Sequence, residues 1–398
     1  MRQLSKFITL SLVLYICVNP VFGQINTGQV TGEVNTITSA VPFLTLAPDS
    51  RSGAMGDVGV ALSPDANSMH WNPAKYAFVP NDMGFAVSYT PWLRELIPDI
   101  NLAYLSGYKR IDQEQVIGFS LLYFSLGNIV FTDVVGNTSG QFNPNEFAID
   151  GAYARAFSDR FSGSLAFRFI YSNLTGGQFV GGVESYPGTA YAADVSLFYM
   201  NTDLTAGSYD ATASWGLNIS NLGSKISYTK NSDKDFIPIN MRLGGAYSIE
   251  FDDYNSITMA LDINKMLVPT PPIYSTEEVD INGNPMIEAG MDPNVAVPVG
   301  IFQSFYDAPL GFQEELNEFT FSLGAEYWYA NQFAIRGGYF QEHATKGNRK
   351  YFTLGVGLRL NVFGLDFAYL VPLFQNNPLA NTLRFSLLFD IEGMQNRR

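Results

Sequence analysis

From about Asn81 to its end, this chain alternates between apolar and polar residues in fourteen short segments, and the connectors between them are by turns tight and long. Phe319, Phe321, Leu323, Ala325 and Tyr327 share one face of a segment whose other face is Thr320, Ser322, Gly324 and Glu326. Phe352, Leu354, Val356, Leu358 and Leu360 alternate in the same way with Thr353, Gly355, Gly357 and Arg359, and Leu383, Phe385, Leu387 and Phe389 with Arg384, Ser386 and Leu388. The period recurs from near residues 82, 99, 114, 161, 189, 211, 240, 254, 332 and 363; the stretch 146–157 is less regular, with both faces mixed. A period of two is the signature of a strand. A strand that crosses lipid needs about 9–11 residues, apolar outward and polar toward the lumen.

The connectors Arg110–Gln113, Ser158–Arg160, Asp252–Asp253, Tyr329–Asn331 and Asn361–Val362 are tight. Between them lie the longer links 91–98, 125–145, 173–188, 220–239, 264–317, 341–349 and 372–380, with 201–210 of intermediate length on the short side. A soluble sandwich has no reason for such strict alternation. Outer-membrane barrels do, with short turns on the periplasmic side and long loops outside. The predicted fold is all-β: a 14-stranded antiparallel transmembrane β-barrel over residues 81–398, with its longest extracellular loop at 264–317.

Aromatic residues make up 14% of the chain, many near predicted strand ends, as interfacial girdles require. Arg2 and Lys6 precede an apolar run, Phe7–Val18, and Val21-Phe22-Gly23 offers a cleavage site before Gln24, so residues 1–23 read as a secretory signal peptide. Cys17 is the only cysteine and leaves with that signal, so neither disulfide nor thiol chemistry is expected of the mature chain. The formal charge of -14 becomes about -16 when Arg2 and Lys6 are removed (-14 minus 2), which disfavours nucleic acid as a partner.

Residues 24–80 do not alternate. They are rich in Gly, Asp, Asn and Ser, which favour tight turns, and read as a hatch that folds back into the lumen. The run from Pro48, Asp49, Ser50 and Arg51 through Met55, Gly56 and Asp57, then Ser63-Pro64-Asp65-Ala66 and Asn72-Pro73-Ala74, resembles the N-terminal region of the PorV family. PorV proteins are outer-membrane components of the type IX secretion system. The Asn72-Pro73-Ala74 piece is also similar to the wider FadL group of barrels, which have fourteen strands and an N-terminal hatch. The resemblance implies a hatch motif of Asp49, Ser50, Arg51, Gly56, Asp57, Asp65, Asn72 and Pro73.

Inward positions of the predicted strands carry Arg168, Arg242, Arg336, Arg359 and Arg384 beside Asp194, Glu250, Asp262, Glu326 and Asp366. Mixed charges in a narrow lumen are expected to pair with each other or with the hatch. No enzyme constellation stands out. The two histidines, His70 and His343, fall in the hatch and in an outer loop, and neither a Gly-x-Ser-x-Gly elbow nor a His-x-x-x-His pair is present. Gly53, Gly56 and Gly59 lack the strand-then-helix flanks of a phosphate loop. The chain is therefore read as non-enzymatic, with no cofactor or metal.

Clustered aromatics on outer loops mark a partner site or a lid over the barrel mouth. Ile301, Phe302, Phe305, Tyr306 and Phe312 in 264–317, Trp92 and Leu93 in 91–98, and Ile129 and Phe131 in 125–145 are expected to form one apolar, acid-rimmed surface. By the PorV resemblance, that surface would bind the C-terminal signal domains of secreted cargo at a very large translocon barrel. The cargo would then pass to a sortase-like attachment complex. The alternative is a FadL-type transporter of hydrophobic small molecules, for which Gly118, Gly151 and Gly216 are candidate wall kinks, though glycine facing a crowded lumen is the more ordinary explanation.

Overall fold

A computed structural model describes residues 34–391, apart from 95–96, 98, 133–137, 178, 181–182, 230–233, 282–284 and 375–378. The predicted signal peptide, with residues 24–33 of the predicted hatch, lies outside the described residues. The barrel strands are β1 (Met83–Pro91), β2 (Ile100–Arg110), β3 (Gln115–Leu126), β4 (Asn145–Ser158), β5 (Phe161–Asn173), β6 (Gly188–Ala206) and β7 (Tyr209–Gly223). They continue as β8 (Asn240–Glu250), β9 (Asn255–Met266), β10 (Thr320–Tyr329), β11 (Phe333–Gln341), β12 (Lys350–Leu360), β13 (Phe363–Pro372) and β14 (Leu383–Ile391). Each pairs antiparallel with the next, and β14 returns to β1, with Met83 opposite Ile391 and Tyr89 opposite Phe385. Closure leaves no free edge, which lipid demands because it cannot hydrogen-bond an open strand.

The strands fall within a few residues of their predicted places, the irregular 146–157 included. The connector 201–210 is the exception: it is mostly strand, and only Gly207 and Ser208 separate β6 from β7. Register shifts between Ala193 and Val195 and between Asn201 and Leu204 absorb extra residues there. Such bulges interrupt the period by which a strand is recognised in sequence. Gly207 closes the turn with φ 72°, a backbone conformation that costs glycine little.

The burial pattern is inverted relative to a water-soluble protein. On β10, Ser322 and Glu326 are buried while Phe321 and Leu323 face out. On β5, Leu165 and Phe167 are 64% and 58% exposed while Arg168 is buried. An outer face of Leu, Phe, Val and Met would be costly in water and is what hydrocarbon accepts. Aromatic rings cluster near both strand ends. Phe157, Phe161, Tyr199 and Trp215 form a chain of ring contacts near the tight turns, and Phe85 stacks on Phe389 at 4.7 Å. Phe147, Phe169, Tyr171 and Tyr191 do the same nearer the long loops.

Residues 35–80 run through the ring from one end to the other. At the long-loop end, Asn35 donates to the Pro271 carbonyl and the Glu314 carboxylate, and Ala40 N–H to the Phe236 carbonyl. At the tight-turn end, Arg110 donates to the Val79 carbonyl just before β1 begins. Between them lie two single-turn helices, α1 (Ser50–Gly53) and α2 (Ser68–Trp71), and 3-10 turns at Pro42–Thr45 and Pro73–Phe78.

Candidate functional site

Two regions carry chemistry beyond the wall itself: the seam between the hatch and the barrel, and the long-loop end. At the seam, the Asp49 carboxylate caps α1 by accepting from Ser52 N–H at 2.9 Å and accepts from the Trp71 indole at 2.6 Å. Ser50 bonds Ser386 through both its amide and its hydroxyl. Arg51 grips Glu326 of β10 bidentately at 3.0 and 2.7 Å and reaches Asp65 at 3.0 Å. From Glu326 the ion pairs continue along the wall through Arg336 and Asp366 to Arg359. Asp57 accepts from Arg384 and Tyr351. Asp262 accepts from two hatch amides, Gly59 and Val60, at 2.7 and 3.0 Å. Asn72 caps the turn begun by Pro73 through Ala74 N–H, and its amide donates to the Val60 and Leu197 carbonyls.

The hatch backbone also approaches the wall closely. A Cβ on Gly338 would lie 2.1 Å from the Gly56 nitrogen, one on Gly324 2.6 Å from the Met55 carbonyl, and one on Gly355 2.4 Å from Ala54. Gly56 itself has φ 72° and would place a Cβ 2.6 Å from Tyr339 backbone. Gly118 and Gly216 belong to the same seam: their missing side chains make room for the Tyr76 ring and for Val60 and Asn72. They mark close packing, not kinks, and strands β3 and β7 keep unshifted pairing on both sides of these two residues. Gly151 faces outward with nothing near it.

The lumen charges sit largely where the period places them, with one correction. Glu250 is exposed because it ends β8 at the tight-turn end, beyond the hatch. Arg359 is only half-buried and pairs with Asp366. Arg51–Glu326 and Asp57–Arg384 join hatch to wall, whereas Arg168 pairs with Asp150 and Asp194 within the wall. Buried Glu146 and Asp150 escape a sequence reading of β4 because small alanines occupy its inward row. His70 lies buried in the lumen against Trp71. His343 sits in the loop 342–349 beside Thr345.

At the long-loop end the lumen is apolar. Val41, Phe43 and Leu44 of the hatch pack with Leu102, Tyr104, Leu122 and Phe124, and Phe43 stacks on Phe124. Trp92 belongs to this cluster, 8% exposed, and Leu93 packs against it. They face inward, so the reading of both as partner-binding surface is corrected: the chain after β1 turns them over the hatch. Ile301 is likewise half-buried against the cluster.

The segment after β9 is folded. It holds a hairpin (Ile273–Val279 with Pro285–Ala289) and two helices, α3 (Val297–Gln303) and α4 (Phe312–Asn317). The acids of its second half, Asp307, Glu314, Glu315 and Glu318, point inward, while Glu277, Glu278, Glu288 and Asp292 of its first half are exposed. Lys265 pairs with Glu315 and Glu318, and Lys346 pairs with Glu314 and Glu318, at 2.5 to 3.2 Å. Thr270 donates to Glu318 through its hydroxyl and to Asp307 through its amide. Burial pushes the Asp307 carboxyl up to about 6, with Glu315 and Glu318 adding to the Thr270-opposed rise. With the acids inside, the aromatics stand outside: Phe302, Tyr306 and Phe312 are 71%, 63% and 76% exposed, and Phe305 is exposed as well. Ile129 is exposed on the hairpin of the β3–β4 link, and the Phe131 side chain lies outside the described residues. That link and the β9–β10 link are six positions apart in a ring of fourteen, so Ile129 and the α3–α4 aromatics rise from opposite sides of the barrel instead of forming one surface.

The family model of the type IX secretion system protein PorV matches residues 29–273, which span the hatch and the first nine strands. The chain belongs to the PorV family. No curated protein matches it. Among solved structures, the toluene transporter TbuX of Ralstonia pickettii is similar at 13% identity over 87% of this chain and 98% of that one, with a TM-score of 0.46. For the toluene transporter TodX of Pseudomonas putida the values are 11%, 89%, 98% and 0.47, and for a FadL homologue of Pseudomonas aeruginosa 11%, 89%, 99% and 0.45. Family and fold are those of an outer-membrane barrel of the type IX secretion system.

In this PorV-family chain the hatch motif has a structural job. Asp49, Ser50, Arg51, Asp57, Asp65 and Asn72 all spend their hydrogen bonds on the hatch or the wall, Gly56 is a close-approach point, and Pro73 starts a turn. Asp262, which takes two hatch amides, had no separate signal in the sequence beyond its inward parity on β9.

Proposed function

We propose that this PorV-family chain is a binding component of the type IX secretion system, not a conduit. Its long-loop end faces the cell exterior and its tight turns the periplasm, as in other outer-membrane barrels. There it takes the folded C-terminal signal domain of a secreted protein at the translocon, holds it reversibly, and releases it to the sortase-like attachment complex. The α3–α4 flap carries this reading. Its exposed Phe302, Tyr306 and Phe312 are held on a frame of buried ion pairs, so the apolar face is presented without the entropy cost of ordering a loose loop on binding. A lumen crossed by the hatch and bonded to the wall along its length fits a scaffold better than a channel.

The test is a mild-detergent pull-down of the tagged protein from its native membrane, comparing wild type with Phe302→Ser/Tyr306→Ser/Phe312→Ser. Co-purification of a very large barrel and of proteins retaining their C-terminal domains is expected for the wild type. The triple variant should lose the cargo while the barrel keeps its heat-modifiable gel mobility. Unchanged cargo capture would remove the flap from the mechanism. A lone barrel carrying only small apolar molecules would favour transport instead.

A further inference from the structure

A cavity of about 300 Å³ lies between the hatch and the wall of β8–β12, with Lys346, Gly347 and Arg349 on the loop side. Its charged lining groups are paired with one exception. Asp57 is held by Arg384 and Tyr351, Glu342 by Arg349, and Glu318 by Lys265 and Lys346. Arg242 differs. It is 6% exposed, and among the described residues no carboxylate comes within ion-pair distance of it. Its Nη1 donates to the His70 carbonyl at 3.1 Å and its guanidinium stacks over Trp71 at 4.8 Å. With the Asn240 amide turned to bond the Lys265 carbonyl, the Asn240 oxygen accepts from Nε at 3.1 Å. The second Nη1 hydrogen and both Nη2 hydrogens remain for another acceptor.

The neighbouring wall residues extend this polar spot. Arg242 is directly opposite Asn264 on β9, and Asn264 is opposite Thr320 on β10, so the three form one inward row. The buried Asn264 Oδ1 has no partner among the described residues. The Asp262, Asp194 and Asp57 charges act on Arg242 only through space, and a buried guanidinium short of direct acceptors is costly. The remaining walls are mainly apolar or aromatic, Ile37, Met266, Phe340, Tyr351 and the Trp71 ring, with Thr36 and Thr45 of the hatch among them.

We propose that this cavity binds a small organic carboxylate, with the carboxylate on the free edge of Arg242 and the carbon body among the apolar walls. The volume is that of about ten water molecules and lies at the lower end of small-molecule sites. The guanidinium fork matches a carboxylate, and the apolar walls favour an organic acid over a bare inorganic ion. This site lies inside the ring and uses none of the flap aromatics, although Glu318 and Lys346 of its lining belong to the ion-pair frame beneath them.

The experiment is titration calorimetry on the full-length protein in mild detergent, using benzoate and hexanoate as probes and benzyl alcohol and hexanol as neutral counterparts. Saturable one-to-one binding of at least one acid is expected, with its alcohol much weaker. Arg242→Gln should weaken the acid by about tenfold or more, the scale of a lost charge-assisted bond. Should Arg242→Gln fail to assemble, Thr320→Phe keeps Arg242 and its bond to His70 while filling the cavity, and it should abolish binding in a heat-modifiable barrel. Binding of neither acid by the wild type overturns the proposal. So does equal binding of acid and alcohol, or undiminished binding by an assembled Arg242→Gln or Thr320→Phe variant.

Discussion

The hatch seam and the α3–α4 flap both use buried ion pairs, and they use them toward different ends. At the seam, Arg51 and Asp57 meet Glu326 and Arg384 of the wall, and glycines on both sides let backbone lie against backbone. Polar groups there are spent inward, on immobilising the segment. On the flap, Lys265 and Lys346 draw Glu314, Glu315 and Glu318 inward and leave Phe302, Tyr306 and Phe312 in the open. One arrangement consumes a surface; the other creates one. The same residue types therefore make a plug in one place and an exposed apolar face in the other, according to which side of the ion pairs the apolar groups fall.

The strongest way to break the seam is steric. Gly338→Val would push a side chain into the Gly56 and Met55 backbone, with no flexible side chain to yield, at a cost of about 3 kcal/mol or more. It is expected to unseat the hatch, read as protease cleavage within 49–76 and loss of the heat-resistant folded band. Gly151→Val, on the outward face with open space around it, should leave both unchanged. Arg51→Ala removes one of two cations from buried Glu326 and strands Asp65, a loss of about 3 kcal/mol on the scale of broken buried pairs. Hydrogen exchange of the α1 amides should rise accordingly while the exchange of β10 and β11 changes less, because Arg336 still pairs with Glu326.

The flap has a pH signature that rests on Asp307. Asp307 has a folded pKa of about 6 against an ordinary 3.8, so the ionised form is disfavoured in the folded flap. Its contribution to flap stability therefore rises as pH falls through 6 and levels off below the ordinary value. Asp307→Asn is expected to stabilise the flap by roughly 2 kcal/mol at pH 7.5 and by little at pH 4. Amide exchange over residues 297–317 measured at both pH values would show it, and an equal effect at both would refute the burial argument. The smallest stability change belongs to the exposed face: Phe302→Ser and Phe312→Ser should shift barrel stability by less than about 0.5 kcal/mol. Under the proposed function they reduce cargo capture, whereas Ile129→Ser, across the ring, does not.

Much of this is legible in the sequence. Phe321 and Leu323 against Ser322 and Glu326 fixed which face of β10 meets lipid, because a closed barrel permits only one answer for each parity. The inward placement of Arg336, Arg384 and Asp366 followed from the same count. Where small or bulged residues blur the period, the reading weakens: little in the sequence marks Asp150 on β4, and β6 and β7 run through a stretch that reads as a connector. Trp92 and Leu93 show a different limit, since an aromatic just past a strand end can turn inward or outward with equal ease.

The sequence by itself determined the strand number, the lipid-facing surface, the plug segment and the family, all of which rest on local periodicity or on a contiguous motif. Only the tertiary structure decided which charges pair across the seam, that Ile129 and the flap aromatics stand on opposite sides of the ring, and that among the described residues no carboxylate pairs directly with Arg242. Those outcomes depend on distances between residues far apart in the chain. Closing the sheet and threading the hatch through it set those distances, and a period of two carries no information about them.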